Sequence, residues 1–384
     1  MSSKKTTLLA GIAAKNATLF HRIRFLAPDA SVIIDFGNGQ STYLVRDLEM
    51  DRARKVVRAD QICCAADFEP DGGLSGDRDT ALAQATAECL RQAGEKVVTV
   101  DRTLPYLYAH FIQQAGIAIE YSEGFGTQER RIKQADEIEH LRHAQKVTGE
   151  AVTYACSTIA NATPNRDAVL QHEGSDLTSE RMRAMITAFL LERNFSNHHD
   201  SIVVTIPHVA DCHHFGEGTL KVDQPVIVDI FPMDNVTRYH GDMTRTVVNG
   251  TPSDEFVKMH ATVCKAKAAG CAALRAGTTG EAVHLAVSEV IESDGFSMLR
   301  GDARHGAKNA TMCHGTGHGI GLEVHEPILL DHGGGEIFAK EVFTVEPGLY
   351  SSAIGGVRIE DMVLVTKNGH ELLSPIAEGL DWKD

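Results

Sequence analysis

The chain has 384 residues, of which 43% are hydrophobic, and this length favours two folded domains over a single core. Its formal net charge of -15 disfavours nucleic acids and anionic membrane surfaces as partners, because phosphates would repel it. No apolar stretch approaches the length of a membrane span. The eight cysteines form no C-x-x-C pair, which is typical of reduced thiols in a cytoplasmic protein rather than of a disulfide framework.

The first third of the chain alternates between strand-like and helix-like patterns. The apolar run Thr7–Ala14 is interpreted as the start of a domain and not as a signal peptide. Strands are predicted at Ser31–Asp35 and Ser41–Val45, joined by a glycine-containing hairpin. The following elements are predicted to be a helix over Thr80–Gln92 that ends near Gly94, a strand over Lys96–Val100, a helix over Tyr106–Gln114 and a strand over Ile117–Tyr121. This alternation predicts a small α/β domain over residues 1–125.

Residues 122–127 are rich in turn formers and are predicted to lead into a second domain over residues 126–384. This domain begins with a long helix whose apolar residues recur every three to four positions, namely Ile138, Leu141, Ala144, Val152 and Ala155. Another helix is predicted over Thr178–Arg193, and a third is predicted to begin at Thr251–Pro252. Strand patterns dominate from Ile202 onward, so the predicted fold class is α+β.

Two aspartates occur in neighbouring apolar strands. Asp229 lies inside the strand pattern 226–231, and Asp242 lies at the start of the next strand. A buried aspartate is costly unless it is paired or bound to a metal. A hairpin between these strands would set the two carboxylates side by side. The alternative for this pair alone is a salt bridge to Arg245.

Two glutamates repeat this arrangement further along the chain. Glu346 ends one apolar strand, and Glu360 ends another, with Arg358 on the same face. Asp361 points to the opposite face and is the less suitable ligand. The two acid pairs have similar gaps, 13 residues (229 to 242) and 14 residues (346 to 360). This similarity hints at two related hairpins that face each other.

A glycine- and histidine-rich segment supplies nitrogen ligands. Glycines alternate along residues 314–321, which disfavours a helix there. His314, His318 and His325 fall on this segment and the residues after it, and histidines on such a backbone suit metal binding and proton transfer. A loop with solvated histidines is the alternative, but it does not explain their occurrence beside four strand carboxylates.

Four converging carboxylates would repel one another unless cations balance them. Two divalent cations cancel four carboxylate charges. Ligation by oxygens and one nitrogen predicts Mn²⁺, with Co²⁺ or Zn²⁺ possible. Two such ions about 3.5–4 Å apart can hold a bridging hydroxide and clamp a tetrahedral intermediate, which is machinery for amide hydrolysis.

The ordered motifs resemble those of the pita-bread metallopeptidases (family M24), which include aminopeptidase P, prolidase and methionine aminopeptidase, with creatinase as a non-metal relative. The matching strings are V-I-V-D-I-F, G-D-M-T-R-T, H-G-T-G-H-G-I-G-L-E-V-H-E, T-V-E-P-G-L-Y and V-R-I-E-D. The resemblance implies a pita-bread catalytic domain, preceded by a creatinase-type N-terminal α/β domain, in a homodimer.

The resemblance also implies a role for each metal ligand. Asp229 would bind one ion through both oxygens, and Asp242 and Glu360 would bridge the two ions. His318 and Glu346 would complete the cage, and Glu346 would also carry the proton of the attacking water.

Other residues are implied to contact the substrate or to support the cage. His325 would contact the scissile carbonyl, His314 would lie behind the ligands or in the substrate pocket, and Arg358 would orient carboxylates. An upstream substrate histidine is assigned to His213, with His214 as the alternative.

The implied function is hydrolysis of the first peptide bond of proline-containing peptides or dipeptides. Prolidases supply an arginine between the catalytic histidine and the next glutamate, whereas this chain has Lys340 there and no arginine between His325 and Glu346. The chain also carries a longer hairpin tip at Met233–Arg238 than the family usually has. The alternatives are a creatinase-like or methionine aminopeptidase-like hydrolase and a non-catalytic pita-bread binding module.

Overall fold

The computed structural model describes residues 5–301 and 310–383, and the chain divides into two compact units between Arg130 and Arg131. Within the described residues, none of the helices combines the length and apolar character that crossing a bilayer requires.

The first unit is built on a mixed six-stranded sheet in the order β4-β3-β2-β1-β5-β6. Its strands are β1 (Thr7–Gly11), β2 (Ser31–Asp35), β3 (Ser41–Leu44), β4 (Gln61–Cys63), β5 (Val97–Val100) and β6 (Ala118–Tyr121). Strands β1 to β3 pair antiparallel, while β4, β5 and β6 join as parallel neighbours. The predicted strands in this region are therefore confirmed, and the run at Thr7 forms β1, one of the two central strands.

Helices α3 and α4 share an apolar core with this sheet. The helices up to the division are α1 (Ala17–Ile23), α2 (Met50–Val56), α3 (Arg78–Gln92) and α4 (Tyr106–Gln114), and α5 (Thr127–Arg131) crosses it. The Asp77 side chain accepts a hydrogen bond from the Thr80 backbone and caps α3, and Gly94 follows the helix with φ of +78°. Leu82 and Ile112 pack with Ile34 in one apolar core. The predicted α/β character of this unit is confirmed.

The division between the units falls a few residues after the boundary predicted at residue 125. Gly126 belongs to the first unit, since a Cβ there would lie 2.1 Å from Thr18 Cγ2. Arg131 belongs to the second unit, where its guanidinium pairs with the buried Glu341 and donates to the Glu336 carbonyl at 2.6 Å. Tight packing on one side and a buried ion pair on the other therefore set the division at Arg130–Arg131.

The second unit contains several antiparallel sheets. Its strands are β7 (Thr163–Pro164), β8 (Leu170–His172), β9 (Ser175–Asp176), β10 (Phe195–Ser196), β11 (Ile202–Val204), β12 (Pro225–Ile230), β13 (Met233–Asp234), β14 (Met243–Val248), β15 (Ser297–Met298), β16 (Thr311–Met312), β17 (Gly317–Gly319), β18 (Glu326–Leu330), β19 (Val342–Val345), β20 (Gly348–Ser351), β21 (Gly355–Arg358), β22 (Asp361–Val365) and β23 (His370–Leu372). Three of the sheets concern the site and have the orders β11-β12-β14, β15-β16-β20-β21 and β18-β17-β19-β22-β23.

Two helix pairs pack on these sheets. The helices are α6 (Ala135–Asn161), α7 (Ser179–Leu191), α8 (Asp254–Ala273) and α9 (Gly280–Ser293). Helices α6 and α7 share an apolar core with β12 and β14, whereas α8 and α9 pack against strands β20 and β21. The second unit thus contains two similar arrangements, each with a pair of helices packed on a hairpin. The β12–β14 hairpin carries Asp229 and Asp242, and Glu346 and Glu360 flank the β20–β21 hairpin.

One helix of this unit begins later than predicted, and another helix was not predicted. The helix predicted to start at Thr251–Pro252 begins at Asp254, because the Ser253 hydroxyl accepts from the Phe256 backbone and acts as the cap. Thr251 instead donates its backbone N–H to Asp223. Helix α9 was not predicted, although its buried Val283, Val287 and Ile291 recur every four residues.

Candidate metal centre

The five predicted ligands line one cavity of about 300 Å³ in the second unit. Asp229 lies on β12, Asp242 directly precedes β14, His318 lies on β17, Glu346 follows β19, and Glu360 lies between β21 and β22. One ligand atom each of Asp242, His318 and Glu360 lies within 4.8 Å of the others. Three sheets thus bring the five side chains to one place, as the strand contexts predicted.

The position of Asp242 depends on a close approach between helix α6 and the start of β14. A Cβ on Gly241 would lie 2.1 Å from Thr148 Oγ1 and 2.7 Å from the Ala144 carbonyl of α6, so only glycine fits. Gln145, also on α6, holds the Asp242 backbone from both sides, donating to its carbonyl at 2.8 Å and accepting from its N–H at 2.9 Å. Gln145 was not predicted, because its role depends on this contact and not on local sequence.

His318 presents one defined nitrogen to the carboxylates. Its Nδ1 lies 3.1 Å from the Gly319 carbonyl, which can only accept, so Nδ1 carries the proton. Its Nε2 then faces Asp242 at 3.8 Å and Glu346 at 3.5 Å with a free lone pair. Burial lowers the pKa of His318 to about 3, with the neighbouring His325 adding to the effect. The imidazole is therefore a neutral nitrogen donor.

The two carboxylate oxygens of Asp229 have different surroundings. Its Oδ2 accepts from Arg358 Nη2 at 2.7 Å, whereas its buried Oδ1 has no hydrogen-bond partner among the described residues. A buried carboxylate oxygen without a partner is costly. A metal ion beside Oδ1 would remove that cost.

The carboxyl groups are buried close enough together to raise one another's pKa values. Burial raises the pKa of Asp242 and of Glu360 well above the ordinary carboxyl range, and repulsion by neighbouring carboxylates adds to it. Burial likewise raises the pKa of Glu346 to about 8. The donor set of carboxylate oxygens and one imidazole nitrogen therefore fits divalent cations.

A model of metallopeptidase family M24 matches residues 139–367, which contain all five side chains. The chain belongs to metallopeptidase family M24. The pita-bread fold implied by the motifs is confirmed.

Individual M24 proteins resemble the chain to different extents. It is 31% identical over 247 residues to an uncharacterised peptidase of Staphylococcus haemolyticus, covering 64% of this chain. It is 30% identical over 256 residues to an Xaa-Pro dipeptidase of Pyrococcus furiosus, again covering 64% of this chain. The matched segments span 63% of the length of each of these relatives. The solved structure of an Xaa-Pro dipeptidase from Bacillus anthracis superposes with a TM-score of 0.80 at 22% identity, covering 98% of this chain and 94% of that one.

Arg358 connects the carboxylates of the cavity to Tyr350 and His314. It donates to the Tyr350 hydroxyl at 2.9 Å, and that hydroxyl lies 2.7 Å from His314 Nε2. His314 Nδ1 lies 2.7 Å from the Gly315 carbonyl and carries the proton. Both His314 nitrogens therefore have protein partners, and burial together with the Arg358 charge lowers its pKa to about 3. His314 is thus held as a neutral group, and Tyr350, which was not predicted, is the link.

His325 lies beside the candidate ligands, on a turn that is held by hydrogen bonds. Its ring meets the His318 ring edge-on at 4.4 Å. The next residue, Glu326, accepts from Lys133 Nζ at 2.7 Å and from the Leu322 backbone at 3.1 Å. This buried ion pair fastens the turn that presents His325 to the cavity.

The structure distinguishes the positions of His213 and His214. His213 lines the same cavity as the five candidate ligands. His214 stacks on His208 at 4.4 Å, and its Nδ1 accepts from the Gly216 backbone at 2.9 Å. Hydrogen bonding and stacking thus keep His214 within its own loop.

The alternative pairing of a strand aspartate with Arg245 is not realised. Arg245 is fully buried and donates to Asp361 at 2.7 Å, on the opposite face from the cage. Lys267 also pairs with Asp361. Asp361, the less suitable ligand by its strand position, is therefore the partner of two buried cations.

The cavity wall after His325 carries an unexpected ion pair. Lys340 lies outside the lining formed by the described residues, whereas Asp331 belongs to it. Arg300 donates to both oxygens of Asp331, at 2.6 and 2.9 Å. An arginine from a different segment thus lies at this wall, although none occurs between His325 and Glu346.

Proposed function

We propose that this M24 chain is an Xaa-Pro peptidase that removes the N-terminal residue from a proline-containing peptide or dipeptide. The convergence of one neutral imidazole with four carboxylates, three of them buried and that of Glu346 partly buried, is the observation that carries the hydrolytic part, together with Asp229 Oδ1, which is unpartnered among the described residues. The name of the Pyrococcus furiosus relative, Xaa-Pro dipeptidase, supports proline-containing substrates.

The five residues would hold two divalent cations, and Mn²⁺ suits their oxygen-rich donors best, with Co²⁺ or Zn²⁺ as alternatives. Asp229, Asp242, His318, Glu346 and Glu360 would each contribute ligand atoms to these ions. The ions, when bound, would supply Lewis-acid activation of a water and polarisation of the scissile carbonyl.

Three side chains would act directly on the substrate. Glu346 would take the proton of the attacking water and pass it to the leaving nitrogen. Two histidines, His325 and His213, would donate hydrogen bonds to the carbonyl oxygen as negative charge develops on it. His314 would orient this wall through Tyr350, since both of its nitrogens have protein partners.

The cavity also offers apolar surface for a proline ring. Phe215 and Leu329 line it and remain 45% and 56% exposed. Large apolar side chains left open at a cavity mouth are typical of substrate contacts. Their position beside His213 and His318 would bring an apolar ring close to the scissile bond.

The biological setting stays a prediction. We infer Mn²⁺ as the native metal from the donor set, and a homodimer and a cytoplasmic location from the family resemblance and the reduced thiols.

A substrate panel with defined metals tests the proposed function. Purified protein loaded with Mn²⁺, Co²⁺ or Zn²⁺ in turn is assayed on Xaa-Pro dipeptides, Xaa-Pro-Yaa tripeptides and Met-peptides. We expect release of the first residue from the proline peptides and loss of activity with a chelator. Preference for the Met-peptides would instead support a methionine aminopeptidase-like enzyme.

Variants and metal analysis separate an enzyme from a binding module. Asp242→Asn should abolish activity, whereas the exposed control Asp167→Asn should not. About two bound ions per chain would support the enzyme, and a chain that binds none would support the non-catalytic module. An Asp242→Asn variant with full activity would contradict the proposal.

A further inference from the structure

Two cysteines meet at the wall of the candidate metal centre. Cys212 Sγ and Cys313 Sγ lie 4.0 Å apart, although 101 positions separate them in sequence. Neither sulfur is part of a disulfide in this structure. A disulfide has an S–S length of about 2.05 Å, so the two sulfurs need to approach by roughly 2 Å. Rotations of the two side chains and a small movement of their loops can produce that approach.

Each cysteine directly precedes a histidine of the site. Cys212 precedes His213, and Cys313 precedes His314. Cys212 also lines the cavity, and its carbonyl accepts from Arg358 Nη1 at 3.4 Å. A covalent bond between these two sulfurs would therefore pull on two segments that shape the substrate side of the cavity.

The two thiols differ in access. Cys212 is only 9% exposed and lies in an apolar cluster with Val209 and Tyr350, whereas Cys313 is partly buried at the edge of that cluster. Cys313 is thus the better placed first nucleophile, with Cys212 as the second.

We propose that Cys212 and Cys313 form a modification site that closes to an intramolecular disulfide and switches the peptidase off. The oxidant is a low-molecular-weight disulfide, RSSR. The Cys313 thiolate attacks one sulfur of RSSR, forms a mixed disulfide and releases one RSH after protonation. The Cys212 sulfur then displaces the second RSH, so that two thiols are oxidised, one RSSR is reduced to two RSH, and one S–S bond forms.

The expected effect on activity follows from the neighbours of the bond. Closure draws the residue before His213 towards the residue before His314, and it disturbs the carbonyl that Arg358 contacts. Misplacement of substrate-positioning groups by about 1 Å can cost about 10²-fold in rate. We therefore expect the oxidised protein to lose at least about tenfold in activity and to regain it in excess dithiothreitol.

The proposal rests on the proposed function for its activity readout, but not for its chemical readout. Mn²⁺-loaded full-length protein is treated with 4,4′-dithiodipyridine, digested without reduction and mapped by mass spectrometry. We expect a peptide pair joined through Cys212 and Cys313, with two thiopyridone molecules released for each bond. If the reduced protein cleaves no Xaa-Pro peptide, the proposed function fails, whereas the mapped bond and the change in Mn²⁺ affinity on oxidation still test this inference.

Matched variants assign the effect to this pair. Cys313→Ser should keep its own reduced-state activity after oxidant treatment, and Cys313→Ala serves if the serine variant does not fold. Cys264→Ser removes a partly buried thiol elsewhere in the unit and should remain as sensitive as the wild type. Modification of the partly buried Cys63 and Cys64 shows that the oxidant has reacted with the protein. The inference is overturned if these two cysteines are modified but no peptide pair joined through Cys212 and Cys313 forms. It is also overturned if the bond forms without loss of activity or Mn²⁺ affinity, or if Cys313→Ser remains sensitive to the oxidant.

Discussion

Arg358 and Asp229 form a buried ion pair that leaves half of the aspartate for another partner. Arg358 Nη2 binds Asp229 Oδ2 at 2.7 Å, and the side chains are only 4% and 10% exposed. The same guanidinium donates through Nε to Thr244, whose hydroxyl donates to Glu360 at 2.6 Å. One cation thus orients two candidate ligands, one directly and one through a hydroxyl.

Replacing Arg358 with lysine should weaken metal binding and activity by about 10–100-fold, the usual cost of losing a group that orients metal ligands. An ammonium cannot contact Asp229, Thr244 and Tyr350 at once, because it lacks the planar fork of a guanidinium. Competition titration with a coloured Mn²⁺ chelator measures the affinity. Arg142→Lys, at an exposed pair with Glu371, is the control. Equal affinities for both variants would show that Arg358 does not orient the cage.

Metal-free protein should lose thermal stability as the pH rises from about 7.5 to about 8.5. The pKa values of Asp242, Glu360 and Glu346 are raised in the folded state, to about 8 for Glu346. Such groups stabilise the fold below the ordinary carboxyl pKa, and this contribution is lost as the pH rises through the folded value. Each group contributes about 1.4 kcal/mol per pH unit over that range. The buried histidines, whose pKa values are lowered, oppose this trend only at lower pH, because unfolded histidines with a pKa of about 6.5 are mostly neutral above about pH 7.5.

Melting temperatures measured with and without Mn²⁺ check this expectation. Mn²⁺ should raise the melting temperature more at the higher pH, since the ions require ionised carboxylates. Glu346→Gln should flatten the slope of the metal-free protein, whereas the exposed control Glu139→Gln should leave it unchanged. A metal-free melting temperature that rises over this range would contradict the assignment.

His213→Ala should lower kcat/KM by about tenfold to hundredfold, the cost of one charge-assisted hydrogen bond in the transition state. His214→Ala should cost much less, because the His214 ring stacks on His208 and bonds to the Gly216 backbone within its loop. Steady-state kinetics on one Xaa-Pro dipeptide compare the two variants. A larger loss in the His214 variant would reverse the assignment.

Arg245→Met should destabilise the fold by about 3–5 kcal/mol, because the buried Asp361 would lose a cation partner. Arg245 also donates to the Glu360 carbonyl at 2.5 Å and to the Ala377 carbonyl at 2.7 Å. Urea unfolding of the metal-free protein measures the loss. The exposed control Arg142→Met should change the free energy of unfolding by about 1 kcal/mol or less. Equal effects would show that Asp361 is satisfied without Arg245.

Much of the fold was predictable because its signals are local. Period-two patterns with turn residues located β2 and β3, and three-to-four periodicity located α6. The predicted start of α8 was wrong because Thr251 and Ser253 are both residue types that cap helices. Only the backbone conformation decides which hydroxyl accepts a hydrogen bond from the first turn of the helix.

The sequence by itself determined the candidate ligands, since an acid in an apolar strand is a local signal of a buried partner. Asp229, Asp242, Glu346 and Glu360 could be selected in this way. Only the tertiary structure decided their surroundings. Three contacts join segments that are distant in sequence. They are the hydrogen bonds of Gln145 to the Asp242 backbone, the ion pair of Arg245 with Asp361, and the contact of Cys212 with Cys313. Such contacts depend on how helices and sheets pack, which no local pattern of residues specifies.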